Sequence, residues 1–422
     1  MLQKSRLHSI FIRGYCDYKK SYMTRNLKMK HGLKISKYFE SMPHLKEIKE
    51  FIPKKYLLQK RQYSAENLYL IDSKIAKSIV RHVIPAICNG PQTICETGAG
   101  LGLITSELLD CKIPCVRLYE PCQDFRITLR DFNRVYPGRV ELFVKDIFQL
   151  TRLSGMDKLD RSNRVDQLLK GVPIKEWKHG PAMTIIGTMT SISFITYLMK
   201  MLALQSEINT HGRIQLFTIM RPGDYVKLSA GPSNNLHTYQ SWSVLFDLFF
   251  DHELLEKYPR TAFLPWEMKA KITNKTRVIK KVDLEYMYFV KINFKKELPT
   301  DNHLLLPLHY FVRQFFGRGK NKIIPTLEKW IPGVGLNLLI PKLVHSHYYN
   351  NLTIFTEFGD LTPQEILGLF KEMINHEGYQ GSSFAAMVES ELLKSETRET
   401  SINDDIPFNK DLIDDLEEKI DN

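Results

Sequence analysis

The stretch CETGAGLGLITSELL, residues 95–109, decides the fold. It places Gly98, Gly100 and Gly102 between a short apolar run and a segment with the pattern of a helix. Glycine adopts left-handed backbone conformations without steric cost, so glycines directly after a strand indicate a tight turn that approaches a ligand. The pattern predicts a strand, a nucleotide-binding turn and a helix, which together form the first unit of an α/β sheet.

The chain after this turn alternates further apolar runs with helical periods. CVRLYEP (115–121), VELFVKDIF (140–148) and AMTIIGTM (182–189) are predicted to be strands with helices between them. The segment 151–181 has no clean period, so we expect a long insertion loop with a short helix over 165–169. The alternation is typical of a parallel, Rossmann-like sheet.

The sheet pattern continues into the middle of the chain. Further strands are predicted within 212–225 and 286–296, with a helix over 239–250 between them. We therefore predict one Rossmann-like domain over 56–298. The pattern then turns helical, which predicts a smaller helical C-terminal domain over 299–388.

Composition and charge restrict the class of protein. The 422 residues are 43% hydrophobic and 25% charged, which is ordinary for a folded protein. The net charge of +12 favours a polyanionic partner, although matrix proteins of mitochondria are also basic. The segment 389–422 is rich in Asp and Glu, and we predict a disordered acidic tail there.

The first 45 residues are rich in Lys and Arg and contain Asp17 and Glu40 as their only acids. This composition is typical of a mitochondrial transit peptide, and a basic nucleic-acid-binding arm is the alternative. The longest apolar region, 183–204, is interrupted by Gly187 and Lys200. It predicts a strand and a helix, so no membrane insertion is expected.

The cysteines all lie in the first third of the chain, from Cys16 to Cys122. Cys111 and Cys115 are spaced like half of a metal site, but no second pair of ligands follows them at zinc spacing. We therefore predict reduced thiols that pack as small apolar side chains, and no metal.

Two acidic residues follow the glycine turn at the ends of later strands. Glu120 ends the second strand, where a carboxylate can accept hydrogen bonds from both ribose hydroxyls. Asp146 ends the third strand, where it can meet an adenine amino group while Ile147 or Phe148 lies against the ring. The turn reads G-x-G-x-G after Glu96, whereas dinucleotide sites prefer G-x-G-x-x-G. S-adenosylmethionine is therefore favoured over NAD.

The segments ETGAGLGLITSELL, LYEP and VKDIF resemble the ribosomal-RNA adenine dimethylases, which carry E-x-G-P-G-x-G-x-L-T and an acid at the end of each of the next two strands. NLYLID resembles the entry motif Q-N-F-L-x-D, with Asn67 one position out of register. The resemblance spans roughly residues 56–335 and implies a class I methyltransferase fold with S-adenosylmethionine as cofactor. The cofactor-binding residues that it implies are Leu70, Glu96, Gly98, Gly100, Glu120 and Asp146.

The resemblance ends at the target-base motif. Active members of the family close the fourth strand with G-N-L-P-Tyr or G-N-L-P-Phe, where the Asn and Pro carbonyls hold the adenine amine and the ring stacks on the flipped base. IIGTMTSISF places Thr188 and Ser191 at the catalytic Asn and aromatic positions. Neither side chain can replace a carboxamide or a ring, so we expect weak or residual activity. Phe194 is the alternative stacking ring.

A retained cofactor turn with a degenerate target-base motif resembles a mitochondrial branch of the family, the transcription factor B proteins, and in particular their second paralogue. The branch implies a matrix nucleoid protein that joins the mitochondrial RNA polymerase and holds melted promoter DNA. A mitochondrial HMG-box DNA-packaging factor is expected in the same complex. The alternatives are an active methyltransferase for small-subunit rRNA and an RNA-binding scaffold for ribosome assembly.

The helical domain contains a basic loop within FFGRGKNKIIPTLEKW, residues 315–330. Cations beside aromatic rings are typical of single-strand binding, because phosphates bind the charge and bases stack on the rings. The alternative is that the rings are core and the lysines are solvated. The predicted nucleic-acid-binding residues are Arg318, Lys320 and Lys322, with Phe315, Phe316 and Trp330 nearby.

Overall fold

The protein, seen in a computed structural model, is organised around a central β-sheet. The structure describes residues 35–58, 67–88, 92–205, 211–234, 238–266, 285–316, 320–339 and 352–396. Its strands are β1 (Tyr69–Leu70), β2 (Thr93–Thr97), β3 (Val116–Tyr119), β4 (Val140–Phe143), β5 (Met183–Thr188), β6 (Ile214–Met220), β7 (Phe250–Pro259), β8 (Phe263–Leu264) and β9 (Tyr286–Phe294).

The main sheet has seven strands in the order β4-β3-β2-β5-β6-β9-β7, and β1 pairs with β8 in a separate ribbon. Strands β2 to β6 are parallel, while β9 is antiparallel to both β6 and β7. The order of the strands reverses between β2 and β5, so the crevice for a ligand opens at their carboxyl ends. The predicted Rossmann-like fold is confirmed.

Helices connect the strands and cover both faces of the sheet. The longest of the early ones, Ser73–Ile87, begins where the Asp72 carboxylate accepts a hydrogen bond from the Lys74 N–H at 2.9 Å. The others up to β7 are residues 35–41, Lys46–Phe51, Lys54–Leu58, Leu103–Asp110, Gln123–Val135, Leu150–Asp160, Arg164–Leu169, Ser193–Ala203, Pro222–Leu228 and Ser241–Phe249.

The C-terminal part is helical, as predicted from its pattern. Its helices are Leu305–Phe315, Ile323–Trp330, Val334–Leu339, Pro363–Asn375 and Ser383–Glu396. They share one hydrophobic cluster with the sheet domain. This cluster contains Phe311 and Phe370 of the helical part and Phe246 of the sheet domain. The Tyr239 hydroxyl also donates to the Leu361 carbonyl across this contact at 2.9 Å. The helical part is therefore continuous with the core of the sheet domain.

The insertion 151–181 differs from the expected loop because it is largely helical. Leu150–Asp160 and Arg164–Leu169 form two helices, of which only the second was predicted. Arg164 joins them through ion pairs with Asp157 at 3.0 Å and with Asp160. Helix Leu150–Asp160 was missed because its apolar residues do not form a clean stripe, and charge contacts hold its end.

The strand β7 was also missed by the sequence pattern. It lies at the edge of the sheet, and its sequence FDHELLEKYP mixes polar residues with few apolar ones. An edge strand has fewer neighbours to cover it, so its sequence lacks a buried apolar run. The strand predicted within 212–225 is β6, Ile214–Met220, and Pro222 begins the helix that follows it.

The N-terminal boundary predicted at residue 45 is wrong, because the chain is already folded at residue 35. Residues 35–41 are helical, and the segment that was assigned to the transit peptide overlaps the domain at 35–45. Residues 1–34 lie outside the described part. Buried side chains of the overlap pack with those of the domain in one cluster that includes Ile35, Phe39, Leu45, Tyr69 and Leu264.

The first residues of the predicted disordered tail, 389–396, are helical. Helix Ser383–Glu396 continues through its first residues, and Val388 is buried against the core. The prediction is therefore wrong for 389–396, where packing of the last helix overrides the acidic composition. Residues 397–422 lie outside the described part. In the described residues, no helix has the length and apolar character needed to cross a membrane.

The cysteines are less uniformly buried than predicted. Cys95 is buried in β2, whereas Cys88 and Cys111 are exposed and Cys115 and Cys122 are half-buried. The described cysteines are free thiols. Packing as small apolar side chains therefore holds for Cys95 and is wrong for the two exposed residues.

Candidate functional site

The glycine turn lies at the carboxyl end of β2, at the point where the strand order reverses. Gly98, Gly100 and Gly102 all have left-handed backbone angles, with φ of +65°, +56° and +72°. A side chain at Gly100 would also lie 2.8 Å from the Tyr69 ring, and one at Gly102 would lie 2.8 Å from Phe132. Both positions therefore require glycine for conformation and for space.

The three acids predicted from the sequence meet at this edge of the sheet. Glu96 is 2% exposed and accepts a short hydrogen bond from the Thr105 hydroxyl. Asp146 is 8% exposed, and its Oδ1 accepts from the Thr97 hydroxyl at 2.7 Å and from the Phe148 N–H at 2.9 Å. These contacts fix the carboxylates within the fold before any ligand binds.

Glu120 is fully buried, and both of its carboxylate oxygens have donors within the protein. Oε2 accepts from the Gly100 N–H at 2.9 Å, and Oε1 accepts from the Cys122 N–H at 2.7 Å. The Tyr69 hydroxyl donates to Oε1 at 3.3 Å. The predicted ribose acceptor is thus in contact with Tyr69, which a ligand at Glu120 would have to displace.

Tyr69 belongs to an aromatic cluster that covers the glycine turn. The centroid of its ring lies 4.6 Å from that of Phe125 and 5.1 Å from that of Tyr56. The Tyr56 and Phe125 rings are stacked, with their centroids 5.4 Å apart. Tyr56 comes from helix Lys54–Leu58, and its hydroxyl donates to Cys122 Sγ at 3.3 Å. The N-terminal helices therefore pack directly against the cofactor side of the sheet.

Burial raises the pKa of all three carboxyl groups. It raises the pKa of Glu96 to about 8, against the Thr105 hydrogen bond, and neighbouring Glu120 raises it further. Burial likewise raises the pKa of Glu120 and of Asp146, against the hydrogen bonds that they accept. Within the described residues none of the three forms an ion pair with Lys or Arg. A ligand with positive charge would stabilise their ionised forms.

Leu70 lies beside this site in β1, half-buried and paired with Phe263 of β8. The site residues Leu70, Glu96, Gly98, Gly100, Glu120 and Asp146 thus occupy one edge of the fold, and their roles in binding stay predictions. Phe148 is half-buried and Ile147 is fully buried, so Phe148 is the more accessible of the two side chains for contact with an adenine.

The target-base positions lie at the end of β5, beyond Gly187. Thr188 is half-buried, Met189 is 2% exposed and Ser191 is exposed. The Ser191 hydroxyl accepts from the Ser193 N–H at 3.2 Å, at the start of helix Ser193–Ala203. Ser191 therefore hydrogen-bonds the first turn of this helix. Neither Thr188 nor Ser191 has a side-chain amide or an aromatic ring.

Phe194 does not replace the missing ring. It is 1% exposed and packs on Phe148 with ring centroids 5.0 Å apart. A side chain in this position cannot stack on a base without leaving the core. The alternative that Phe194 is the stacking ring is therefore wrong.

The basic loop of the helical domain is only partly described. Lys320 and Lys322 are exposed, while Arg318 lies outside the described residues. Phe316 is fully buried and packs on Tyr239 with ring centroids 4.8 Å apart. Trp330 packs on Phe384 with ring centroids 5.8 Å apart. The expectation that Phe316 is a surface ring is wrong, because the helix directs it into the core.

Three residues that contact predicted site residues were not predicted from the sequence. Thr105 and Tyr69 bond Glu96 and Glu120, and Phe355 lies beside Lys322. Thr105 stands at the Thr of the motif E-x-G-P-G-x-G-x-L-T, and Tyr69 directly precedes Leu70 in NLYLID, so both had a signal. Phe355 had none, because it is distant in sequence from the basic loop.

The parallel sheet, the glycine turn at its reversal point and acids at the ends of successive strands define a class I methyltransferase fold. The family model for ribosomal RNA adenine dimethylase matches residues 58–345, and the chain belongs to that family.

Two relatives from animals carry the same name. Mitochondrial dimethyladenosine transferase 2 of Drosophila melanogaster is 32% identical over 375 residues, covering 81% of this chain and 83% of the relative. Mitochondrial dimethyladenosine transferase 2 of Homo sapiens is 23% identical over 305 residues, covering 68% of this chain and 76% of the relative. Both names place the relatives in mitochondria, and this chain is accordingly mitochondrial.

Two solved structures match this chain at low sequence identity. The 23S rRNA methyltransferase ErmE has 18% identity and a TM-score of 0.45, covering 72% of this chain and 99% of that one. A dimethyladenosine transferase from Plasmodium falciparum has 12% identity and a TM-score of 0.43, covering 71% of this chain and 95% of that one.

S-adenosylmethionine is the cofactor of this family. The three buried carboxyl groups form no ion pair with Lys or Arg in the described residues, which fits a ligand that carries positive charge, and nothing lies within 4 Å of the Cβ position of Gly98. Glu96, Glu120 and Asp146 would hold it once the Tyr69 hydroxyl is displaced from Glu120. When bound, the cofactor supplies an electrophilic methyl group.

Proposed function

We propose that the protein is a mitochondrial transcription initiation factor built on an rRNA adenine dimethylase fold. In this role it joins the mitochondrial RNA polymerase, melts promoter DNA and holds the unpaired strand, together with an HMG-box DNA-packaging factor in the matrix nucleoid. One observation carries the proposal. The end of β5 retains the strand but presents Thr188 and Ser191 where methyl transfer needs an amide and a ring.

The physical argument starts from what such a site retains when base chemistry is lost. An adenine methyltransferase acts on bases outside a duplex, so its surface already favours unpaired strands. Losing one stacking ring forfeits about 1–3 kcal/mol of base binding. It also removes the geometry that favours the transition state. We infer that a sequence-tolerant surface for single strands remains and that the exposed Lys320 and Lys322 contribute to it.

The second candidate is an active dimethylase for small-subunit rRNA. It is favoured by the intact cofactor edge, where Glu96, Glu120 and Asp146 are all present and oriented. Against it stands the absence of a stacking ring at Ser191 and the burial of Phe194. A cofactor-bound protein with slow methyl transfer satisfies both sets of observations.

Targeting and the termini belong to the same proposal. We infer that the transit peptide lies within residues 1–34, because Ile35 is already buried in the domain. Cleavage after residue 35 would remove part of the core. We propose that the acidic composition of segment 397–422 lets it compete with nucleic acid for basic residues at low salt, by opposite charge.

The deciding experiment adds purified protein to mitochondrial RNA polymerase on a linear promoter and on the same promoter with a pre-melted bubble, with and without S-adenosylmethionine. We expect transcription to depend on the protein on the linear template, to be largely independent of it on the bubble, and to be indifferent to the cofactor.

Three other outcomes discriminate the candidates. Equal dependence on both templates would remove the melting role. Efficient methylation of unmodified small-subunit rRNA would support the dimethylase. Tight binding of that RNA without methylation or transcription would support the assembly scaffold.

A further inference from the structure

An exposed aromatic ring lies next to the basic loop of the helical domain. Phe355 is 68% exposed and its neighbour Ile354 is 50% exposed, within a turn at residues 353–356. Apolar side chains are exposed here although the turn is ordered by hydrogen bonds. An ordered and exposed ring is a feature of binding surfaces.

The turn has an internal framework that holds the ring in place. The Thr356 N–H donates to the Thr353 carbonyl at 3.1 Å, and the Thr353 N–H donates to the Thr356 hydroxyl at 2.9 Å. The Phe355 N–H donates to the Thr353 hydroxyl at 3.2 Å. The ring is thus presented by a small rigid unit, which lowers the entropy lost when a partner binds.

Backbone hydrogen bonds join this turn to the basic loop. The Ile323 N–H donates to the Thr356 carbonyl at 3.0 Å, and the Phe358 N–H donates to the Asn321 carbonyl at 3.0 Å. A bridge pairs Lys322 with Glu357 in antiparallel fashion. The two segments are therefore neighbours by main-chain contacts, and the position of Phe355 relative to Lys322 does not depend on flexible side chains alone.

Charge and ring are combined at the junction. The Lys322 Nζ lies 5.0 Å from the centroid of the Phe355 ring, and Lys320 and Lys322 are both exposed. Of the other described rings nearby, Phe316 is fully buried and Trp330 is half-buried against Phe384, so both are less exposed than Phe355. Phe355 is thus the accessible ring beside the loop in the described residues.

We propose that Phe355 is the stacking ring of a single-strand nucleic-acid site, with Lys320 and Lys322 on the adjacent phosphates. The inference rests on the proposed function and gives that surface its contact residues. Unpaired bases stack on exposed rings with little regard to sequence, and lysines bind the backbone beside them. Unpaired DNA and unpaired RNA share this chemistry.

The test measures equilibrium binding of the full chain to fluorescent oligonucleotides by anisotropy. The probes are a single-stranded DNA, a single-stranded RNA of the same sequence and the DNA duplex. Phe355→Ala and Phe355→Leu both remove the ring, the second while keeping apolar bulk, and Phe355→Trp retains it. Phe51→Ala is the matched control, because Phe51 is 63% exposed on another part of the surface.

We expect Phe355→Ala and Phe355→Leu to weaken single-strand binding by about 5- to 150-fold, the range for one stacked base. Phe355→Trp should bind as tightly as the natural chain or tighter, and Phe51→Ala should bind equally. Lys322→Ala should lower the slope of log affinity against log salt by about 0.7, which is one phosphate contact on a single strand. If the Phe355 variants lose affinity for the single-stranded DNA alone, the site is specific for DNA. If they lose affinity for both single-stranded probes, the site accepts unpaired DNA and unpaired RNA.

Equal affinity of Phe355→Leu and the natural chain for a strand that the natural chain binds would overturn the inference and leave the proposed function intact. A natural chain that binds no single strand would overturn both. Loss of polymerase binding with unchanged strand affinity would assign Phe355 to a protein interface and also reject the inference.

Discussion

The cofactor edge and the target-base end of the same sheet differ in how far their side chains are buried and hydrogen-bonded to the rest of the fold. At the cofactor edge, Glu96, Glu120 and Asp146 are buried and bonded to neighbouring elements. At the end of β5, Thr188 is half-buried and Ser191 is exposed. Side chains that are bonded into the core contribute to folding as well as to binding, whereas exposed side chains can change without cost to the fold. A methyltransferase can therefore lose its chemistry and retain its shape.

The largest expected effect is a pH dependence that arises at the cofactor edge. The pKa of Glu96 is raised from 4.5 to about 8 in the folded protein. Between these values the folded state retains a proton that the unfolded state has lost, so the free energy of unfolding falls as pH rises, by at most about 1.4 kcal/mol per pH unit. Glu96→Gln should flatten this part of the curve, measured by urea unfolding from pH 5 to 8.5.

Thr188→Asn is the control for this measurement, because it changes the target-base end without altering a titrating group. It should leave the slope of stability against pH unchanged. A Glu96→Gln variant with the same slope as the natural chain would show that Glu96 is ionised in the folded state throughout this range.

The next largest effect is expected where the two regions meet, at Gly187. A Cβ there would lie 2.6 Å from the Thr97 carbonyl oxygen and 2.6 Å from its Cγ2. Gly187→Ala should therefore lower the free energy of unfolding by about 2–3 kcal/mol, since the clash involves backbone. Gly180→Ala is the matched control, because nothing lies within 4 Å of its Cβ position. Equal midpoints in urea for the two variants would contradict the predicted clash.

Restoring the target-base end should change chemistry and leave stability alone. We expect Thr188→Asn with Ser191→Phe to shift the free energy of unfolding by no more than about 0.5 kcal/mol, because both positions are at the surface end of β5. The rate of methyl transfer to a small-subunit rRNA hairpin should rise by about 5- to 150-fold, which corresponds to the free energy of stacking one base on an aromatic ring. Radioactive methyl incorporation measures it, and Thr188→Asn alone should give less than the pair.

The smallest effect is expected at Tyr69, which covers the cofactor edge. Tyr69→Phe removes the hydroxyl that bonds Glu120 at 3.3 Å but keeps the ring against Gly100. A hydrogen bond contributes about 0.5–1.5 kcal/mol, and binding of S-adenosylmethionine no longer has to break it. Calorimetry should show roughly 2- to 10-fold tighter binding.

Tyr258→Phe removes a comparable hydroxyl, which donates to Glu256 at 3.0 Å away from this site, and should leave the cofactor affinity unchanged. Weaker cofactor binding by Tyr69→Phe would mean that the hydroxyl assists the ligand.

The class of fold and the cofactor edge could be predicted from the sequence because their signals are local. Glycines that need left-handed angles at Gly98 and Gly100 and acids at the ends of strands can be read residue by residue. The helix Leu150–Asp160 and the edge strand β7 could not, because their sequences lack a clean apolar period and neighbours hold them in place.

The sequence by itself determined that this chain forms a dimethylase-type sheet with its cofactor acids and that the base-gripping residues are replaced, because both depend on residue type and on spacing along the chain. Only the tertiary structure decided that Tyr69 covers Glu120, that Phe194 is core and that Phe355 lies beside Lys322. Each of those facts joins segments that are distant in sequence, and burial and contact across such distances follow from how the chain packs.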